Sequence, residues 1–183
     1  MERTYINELS AKEGQTVLIQ GWVHSLRGQS KIKFLQLRDI TGVVQAVAFD
    51  SKLFDNISKL LCESVVSITG LVKKAVVKSD EITEKNIEIE VKELEIINLA
   101  EPLPITIFEK DEAATQDLPK RLDYRFLDFH RRKTQAVFKI QNEIANAFRE
   151  HFYGKGFLEM QPPCIISAAS EGGTDLFSVQ YFE

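Results

Sequence analysis

The sequence is poor in the residues that most directly announce a chemistry. Its two cysteines, Cys62 and Cys164, stand far apart and without metal-type spacing, the usage expected of reduced structural thiols in a cytoplasmic protein. The three histidines, His24, His130 and His151, are scattered along the chain, and no zinc-ligand spacing arises among them. No apolar run approaches the roughly 18 residues of a membrane span, and the opening MERTYINELS is too polar for a signal peptide. Positive charge is not in excess either. A net charge of −4 argues against indiscriminate nucleic-acid binding through a broad basic surface, while leaving room for a local basic groove. What remains, 183 residues at 44% hydrophobic and 27% charged, is the composition of a globular protein of one or two domains.

The first hundred residues read as strands. TVLIQGWVHSL (16–26), IKFLQLRDI (32–40) and VVQAVAF (43–49) come first, the last two joined by a turn at Ile40-Thr41-Gly42. SKLFDNISKLLC (51–62) carries Leu53, Phe54, Ile57, Leu60 and Leu61 at helical spacing. Strands return at 64–77 and 86–100, the latter alternating Ile87, Ile89 and Val91 against Glu88, Glu90 and Lys92. Three strands, a helix and two strands is the order of the OB-fold, a small Greek-key barrel that binds oligonucleotides on one face, although other small barrels share that order. The second strand poses a question. Leu35 and Leu37 point one way, whereas Phe34 shares the other face with Gln36 and Arg38. A large aromatic on a polar sheet face offers a surface on which a nucleobase can stack; it can equally cover the rim of a barrel.

Glu101-Pro102-Leu103-Pro104 breaks the strand pattern. The segment 105–132 is charged and irregular, as a hinge would be. From Thr134, a candidate N-cap, the pattern turns helical, with Val137, Ile140, Ile144, Ala147, Phe148 and Phe152 forming a stripe expected to face a core and ending near Gly154. GFLEMQPP (156–163) then reads as a short strand stopped by prolines. The expected organisation is an all-β barrel over 1–104, a hinge over 105–132, and over 133–183 the beginning of a larger α+β domain with an antiparallel sheet.

The runs RLDYRFLDFHRR (121–132), GFLEMQPP (156–163) and SEGGTDLFSVQYFE (170–183) resemble class II aminoacyl-tRNA synthetases of the aspartyl, asparaginyl and lysyl subgroup. RLDYRFLD and SEGGT resemble the aspartyl enzymes of archaeal and eukaryotic type. The resemblance covers essentially the whole chain and implies an OB-fold anticodon-binding domain, a hinge, and the opening of a class II catalytic domain. It implies that Phe34 stacks on the central anticodon base and that Gln45, nearly opposite Gln36, reads the first. It further implies that Glu88 contacts the anticodon, with Arg27 and Arg38 as phosphate contacts. His24, after Gly21-Trp22-Val23, resembles enzymes that charge both the aspartate and asparagine tRNAs, although strict eukaryotic enzymes carry His there too.

In the second half, Pro163 matches the proline of the first class II signature, which lies at a homodimer interface. Ser170, Glu171, Gly172, Gly173 and Thr174 match the mobile loop that closes over aspartate, with Glu171 binding the substrate ammonium. Cys164 departs from the lysine often found after that proline. The implied activity is aspartate–tRNA ligation: activation of aspartate by ATP and Mg²⁺, then transfer to the 3′ end of tRNA. The second and third class II signatures, with the arginines that grip ATP, are expected to follow residue 183, so no catalytic residue is assigned within the chain. A fragment inactive by itself is therefore expected. Two alternatives stay open: an asparaginyl or relaxed aspartyl enzyme, and a free-standing OB-fold tRNA-binding module.

Overall fold

The computed structural model describes residues 1–29, 32–107 and 117–163. The chain divides into two compact units, Met1–Thr106 and Ile107–Glu183.

The first unit is a closed barrel in the order β1-β2-β3-β5-β4, built from β1 (Thr16–Gln29), β2 (Ile32–Arg38), β3 (Val43–Ala48), β4 (Val65–Lys74) and β5 (Ile87–Asn98). A 3-10 helix (Ile6–Lys12) precedes it, and a 3-10 turn (Ser51–Leu53) leading into α1 (Phe54–Lys59) joins β3 to β4. The helix expected over 51–62 is thus present and short. β1 is long enough, at 14 residues, to serve both ends of the barrel. Its first half pairs with β4 and its second half with β2, both antiparallel. β3 and β5 close the barrel through a parallel contact, Ala46 beside Ile89 and Val47 beside Glu90.

The alternation seen in the sequence sorts the side chains. Leu35, Leu37, Val44, Ala46, Ile68 and Ile89 are fully buried in one core with Val17, Ile19 and Val23. At about 25 cal/mol per Å² of apolar surface removed from water, this core is the main source of the unit's stability. Ile6 and Leu9 of the 3-10 helix plug it from one end. Cys62 is half-buried, and burial pushes its thiol pKa up, which suits an unreactive structural thiol.

The β2–β3 turn is held by a buried carboxylate. Asp39 Oδ1 accepts from the Thr41 N–H at 2.7 Å, the Thr41 hydroxyl at 2.6 Å and the Gly42 N–H at 3.0 Å. Its Oδ2 accepts from the Ile6 N–H at 2.9 Å, so one side chain both shapes the turn and ties down the plug helix. Gly42 is required here, because a Cβ would fall 2.3 Å from Thr83 Oγ1.

In the second unit, the run expected to be irregular folds locally. Residues 118–128 form α2 (Leu118–Asp123) and α3 (Arg125–Asp128). Asp128 is buried and takes a fork of hydrogen bonds from Arg121, Nε to Oδ1 at 2.8 Å and NH2 to Oδ2 at 2.9 Å. Arg131 approaches the same carboxylate at 3.4 Å, and the Thr134 hydroxyl donates to it at 3.3 Å. Thr134 therefore lies inside the first turn of α4 (Arg132–Tyr153), whose N-cap is Arg131, and its hydroxyl serves Asp128 instead of the helix end.

α4 ends in a Schellman closure. Gly156, at φ 81°, donates to the Tyr153 carbonyl, and the Phe157 N–H donates to the Phe152 carbonyl. The Phe152 and Phe157 rings meet edge to face, 5.3 Å between centroids. Residues 157–163 form no strand, which corrects the expectation for GFLEMQPP: a strand needs a ladder partner, and none lies among the described residues. Instead Glu159 folds back along α4, accepting from the Tyr153 hydroxyl at 2.6 Å and from Arg149 Nε at 3.2 Å. The apolar stripe is present, but no residue of α4 is buried. Ile144, Phe148, Phe152, Phe157 and Leu158 line an open groove of about 510 Å³. No helix among the described residues is long and apolar enough to cross a membrane.

The hydrogen bonds from Arg121, ahead of the other charges, hold the Asp128 carboxyl below its ordinary range. Its contribution to stability is therefore present above the unfolded value of about 3.9 and is lost as pH falls through the lower folded value. Asp128→Asn is expected to destabilise the second unit by about 1–3 kcal/mol at pH 7. Hydrogen exchange of α3 should show this, and the acid-sensitive part of the wild-type profile below about pH 4 should disappear in the variant. An unchanged acid profile would remove Asp128 from the centre of this clasp.

Candidate nucleic-acid interface

Cross-strand pairs point to the same side of a sheet, so the register lays out the barrel's outer face row by row. Arg27, Phe34 and Val47 stand side by side on β1, β2 and β3, followed by Glu90 on β5. One step along, Ser25, Gln36 and Gln45 form the next row. The parallel register continues that row to Glu88, whose carboxylate accepts from Gln45 Nε2 at 3.1 Å. Trp22, Arg38 and Val43 form the third. The expected pairing of Gln45 with Gln36 is what the hairpin adopts.

These residues divide by what they already touch. Phe34 is 37% exposed and stands beside Val47, its cross-strand partner. On its other side it pairs with the exposed Arg27 of β1. Gln45 is half-buried with its amide orientation set by chemistry. A carboxylate only accepts, so the NH₂ must face Glu88, leaving the carbonyl and one N–H for another partner.

Gln36 is only 5% exposed, and both ends of its amide are engaged. Its Oε1 accepts from the Ser25 hydroxyl at 2.8 Å and its Nε2 donates to Ser79 Oγ at 3.2 Å. Arg38, expected at a phosphate, is turned inward. Its guanidinium donates to Glu63 Oε2 at 2.8 Å, lies 5.6 Å from the centre of the Trp22 ring, and approaches His24 Nδ1 at 3.2 Å.

The β4–β5 connection forms a wall along this face. Ser79 reaches Gln36, Glu81 lies 3.8 Å from His24 Nε2, and Thr83 bonds the backbone of Val43 in both directions. Val77 and Ile82 close over Val43 as a small second apolar cluster. Sequence reasoning missed this wall and the Glu63 brace. The strand expected to run to Val77 ends at Lys74, and 78–85 carry no strong strand or helix period, so nothing in the sequence signalled that Val77 and Ile82 cover the outer face of β3. Pro163 is exposed. Ser170, Glu171, Gly172, Gly173 and Thr174, with Cys164, lie outside the described residues. Among the described residues no group of three His, Cys, Asp or Glu side chains is placed to hold a metal ion.

A closed five-stranded barrel in this strand order is an OB-fold. Residues 17–97 match the OB-fold nucleic acid binding domain family, and residues 117–182 match the tRNA synthetases class II (D, K and N). The chain is 43% identical to the aspartate–tRNA(Asp/Asn) ligase of Methanocaldococcus jannaschii, with 93% of this chain and 38% of that protein covered. It is 39% identical to the aspartate–tRNA(Asp) ligase of Thermoplasma acidophilum over 100% of this chain and 42% of that one. Among solved structures, asparaginyl-tRNA synthetase from Pyrococcus horikoshii superposes with a TM-score of 0.82 at 32% identity, over 100% of this chain and 41% of that one. Aspartyl-tRNA synthetase from Entamoeba histolytica superposes at 0.78 and 29%, over 92% and 41%. The chain belongs to the class II aminoacyl-tRNA synthetases of the aspartyl, lysyl and asparaginyl subgroup. Within them it corresponds to the N-terminal part of the archaeal-type aspartyl enzyme, with the OB-fold and the start of the catalytic domain. It spans about 40% of the length of the curated relatives it matches.

The two glutamines of the central row should separate in a stability measurement. Gln36→Ala strands the Ser25 and Ser79 hydroxyls under the β4–β5 wall and is expected to cost about 1–2 kcal/mol in urea unfolding. Gln45→Ala is expected to change stability by no more than about 0.5 kcal/mol. Equal losses would place both amides in the same structural role.

Proposed function

We propose that this chain serves an aspartate–tRNA ligase and that the outer face of its barrel reads the anticodon. The observation that carries the reading is the Phe34, Gln45 and Glu88 constellation. It combines an exposed ring, an amide oriented by a carboxylate, and the exposed Arg27 on the same face. Stacking on Phe34 is sequence-tolerant and supplies affinity, whereas the amide of Gln45 supplies discrimination by donating to and accepting from one base edge. Arg27 takes a backbone phosphate. Arg38 would have to leave Glu63 to do so, and Arg27 is the better placed cation.

In the reaction assigned to the whole enzyme, the aspartate carboxylate attacks the α-phosphorus of ATP. Pyrophosphate leaves, and the aspartyl group then passes to the 3′-hydroxyl of the terminal adenosine. The residues described supply tRNA recognition to this sequence. Ser170–Thr174 are proposed to close over aspartate, Pro163 to lie at a homodimer interface, and the enzyme to act in the cytoplasm. ATP would be the co-substrate of that enzyme and Mg²⁺ its cofactor.

A second reading, charging of both aspartate and asparagine tRNAs, is supported by His24 and by the dual specificity in the name of the Methanocaldococcus jannaschii relative. The two tRNA classes differ in the third anticodon base, C or U. Stem-loops carrying either base should bind within about threefold of each other if recognition is relaxed, and differ by about tenfold or more, 1.4 kcal/mol, if it is strict.

Phe34→Ala is expected to weaken binding of an aspartate anticodon stem-loop by about 1–3 kcal/mol. Stability should change by about 1 kcal/mol or less, since the residue is already 37% exposed. Gln45→Ala should instead flatten the preference at one anticodon base. Unaltered affinity in the first variant, or a uniform loss across all anticodons in the second, would count against the reading.

A further inference from the structure

His24 occupies an irregular position in β1. The β1–β2 register runs Trp22 to Arg38 and Val23 to Leu37, then resumes with Ser25 to Gln36, leaving His24 as the extra residue of a β-bulge. Bulges re-aim side chains and recur beside functional sites. The bulge directs the His24 ring between two charged groups: Arg38 NH1 lies 3.2 Å from Nδ1, and Glu81 Oε2 lies 3.8 Å from Nε2. A guanidinium has donors and no acceptor. The ring nitrogen facing it must therefore present its lone pair, and the ring proton must sit on Nε2.

Arg38 is itself held on several sides. Its NH2 donates to Glu63 Oε2 at 2.8 Å, with the Glu63 side chain 5% exposed, and its guanidinium packs toward the Trp22 ring. Glu63 adopts φ 70°, the left-handed region that a non-glycine residue keeps only when its surroundings enforce it. Those surroundings are the bulge. The Glu63 N–H donates to the Val23 carbonyl and the Val23 N–H donates to the Ser64 carbonyl, both at 2.8 Å. A strained turn, a buried ion pair and a bulged strand thus converge on one imidazole.

We infer that Arg38, braced by Glu63, is a positioning residue that locks His24 as the neutral Nε2–H tautomer. His24 then offers the outer face of the barrel one hydrogen-bond donor of fixed direction. Resting on the anticodon reading above, the group this donor suits is a base acceptor common to both pyrimidines, such as the O2 carbonyl. A single donor to O2 does not separate C from U, which would give relaxed recognition a physical cause. Glu81, 3.8 Å from Nε2 and so beyond hydrogen-bond distance, is the neighbour that such a base would displace.

The test is the tautomer itself. Long-range ¹⁵N–¹H correlation spectra of the chain, recorded well above the ordinary histidine pKa of about 6.5, should show His24 with a pyridine-like Nδ1 and a pyrrole-like Nε2. Arg38→Met should bring both nitrogens toward averaged shifts. Because that variant leaves the Glu63 carboxylate buried without its cation, Arg38→Met combined with Glu63→Gln keeps the measurement independent of the penalty. Averaged shifts in the folded double variant support the lock, and a single Nε2–H tautomer there overturns it. Binding of the aspartate anticodon stem-loop should fall about three- to tenfold in the same variant, the loss of one hydrogen bond. A stem-loop abasic at the third anticodon position should bind wild type and variant alike. A lost tautomer with unchanged RNA binding would sustain the role of Arg38 and overturn instead the placement of His24 at the RNA.

Discussion

The barrel face depends on the register of one hairpin. Strand side chains alternate with a period of two, so a slip of one residue between β2 and β3 would exchange the two faces of a strand. Leu35 and Leu37 would meet water and Phe34 would enter the core. The buried Asp39 carboxylate prevents this by accepting from the Thr41 and Gly42 N–H groups in the turn. Its second oxygen accepts from Ile6, so the same register is tied to the helix that plugs the core. Core burial and site geometry are two results of one constraint. The leucines could not be buried in this arrangement without placing Phe34, Gln36 and Gln45 together outside.

Within that face, polarity does not mark availability. Gln36 and Gln45 are direct cross-strand partners, yet one is sealed by Ser25 and Ser79 while the other keeps hydrogen-bonding capacity beside Glu88. Arg27 and Arg38 differ in the same way. The partner that decides each case comes from far along the chain: the β4–β5 wall for Gln36, and the turn before β4 for Arg38. Rigidity at the edge of the face therefore comes from residues that would not themselves touch RNA.

Most of the barrel was legible because its strands alternate cleanly and its turns carry Gly, Asp and Thr. The pairing of Gln45 with Gln36 followed from counting residues across Ile40-Thr41-Gly42. Phe34 was legible as an anomaly, an aromatic on the wrong side of an alternating strand. The inward turn of Arg38 was not, since nothing local to KFLQLRD says that Glu63, 25 positions away, will adopt a left-handed backbone to receive it. Nor was the clasp of Arg121 on Asp128. A charged run with weak periodicity reads as irregular, and its two short helices are stabilised by one specific ion pair more than by propensity. The absence of a strand at GFLEMQPP has a related cause. Sequence pattern reports what a segment is suited to, while a strand exists only where a neighbour supplies its hydrogen bonds.

An anticodon-reading face makes one spatial demand: RNA must touch it and not the rest of the barrel. Titrating an aspartate anticodon stem-loop into the isotope-labelled chain and following amide and side-chain NMR shifts tests this directly. If the face reads the anticodon, the largest perturbations fall on Arg27, Phe34, Gln45 and Glu88, with His24 at the margin, while the outer surface where β1 pairs with β4 stays unperturbed. Perturbations centred on the β1–β4 surface, or none at concentrations where a full aspartate tRNA saturates the chain, would contradict it.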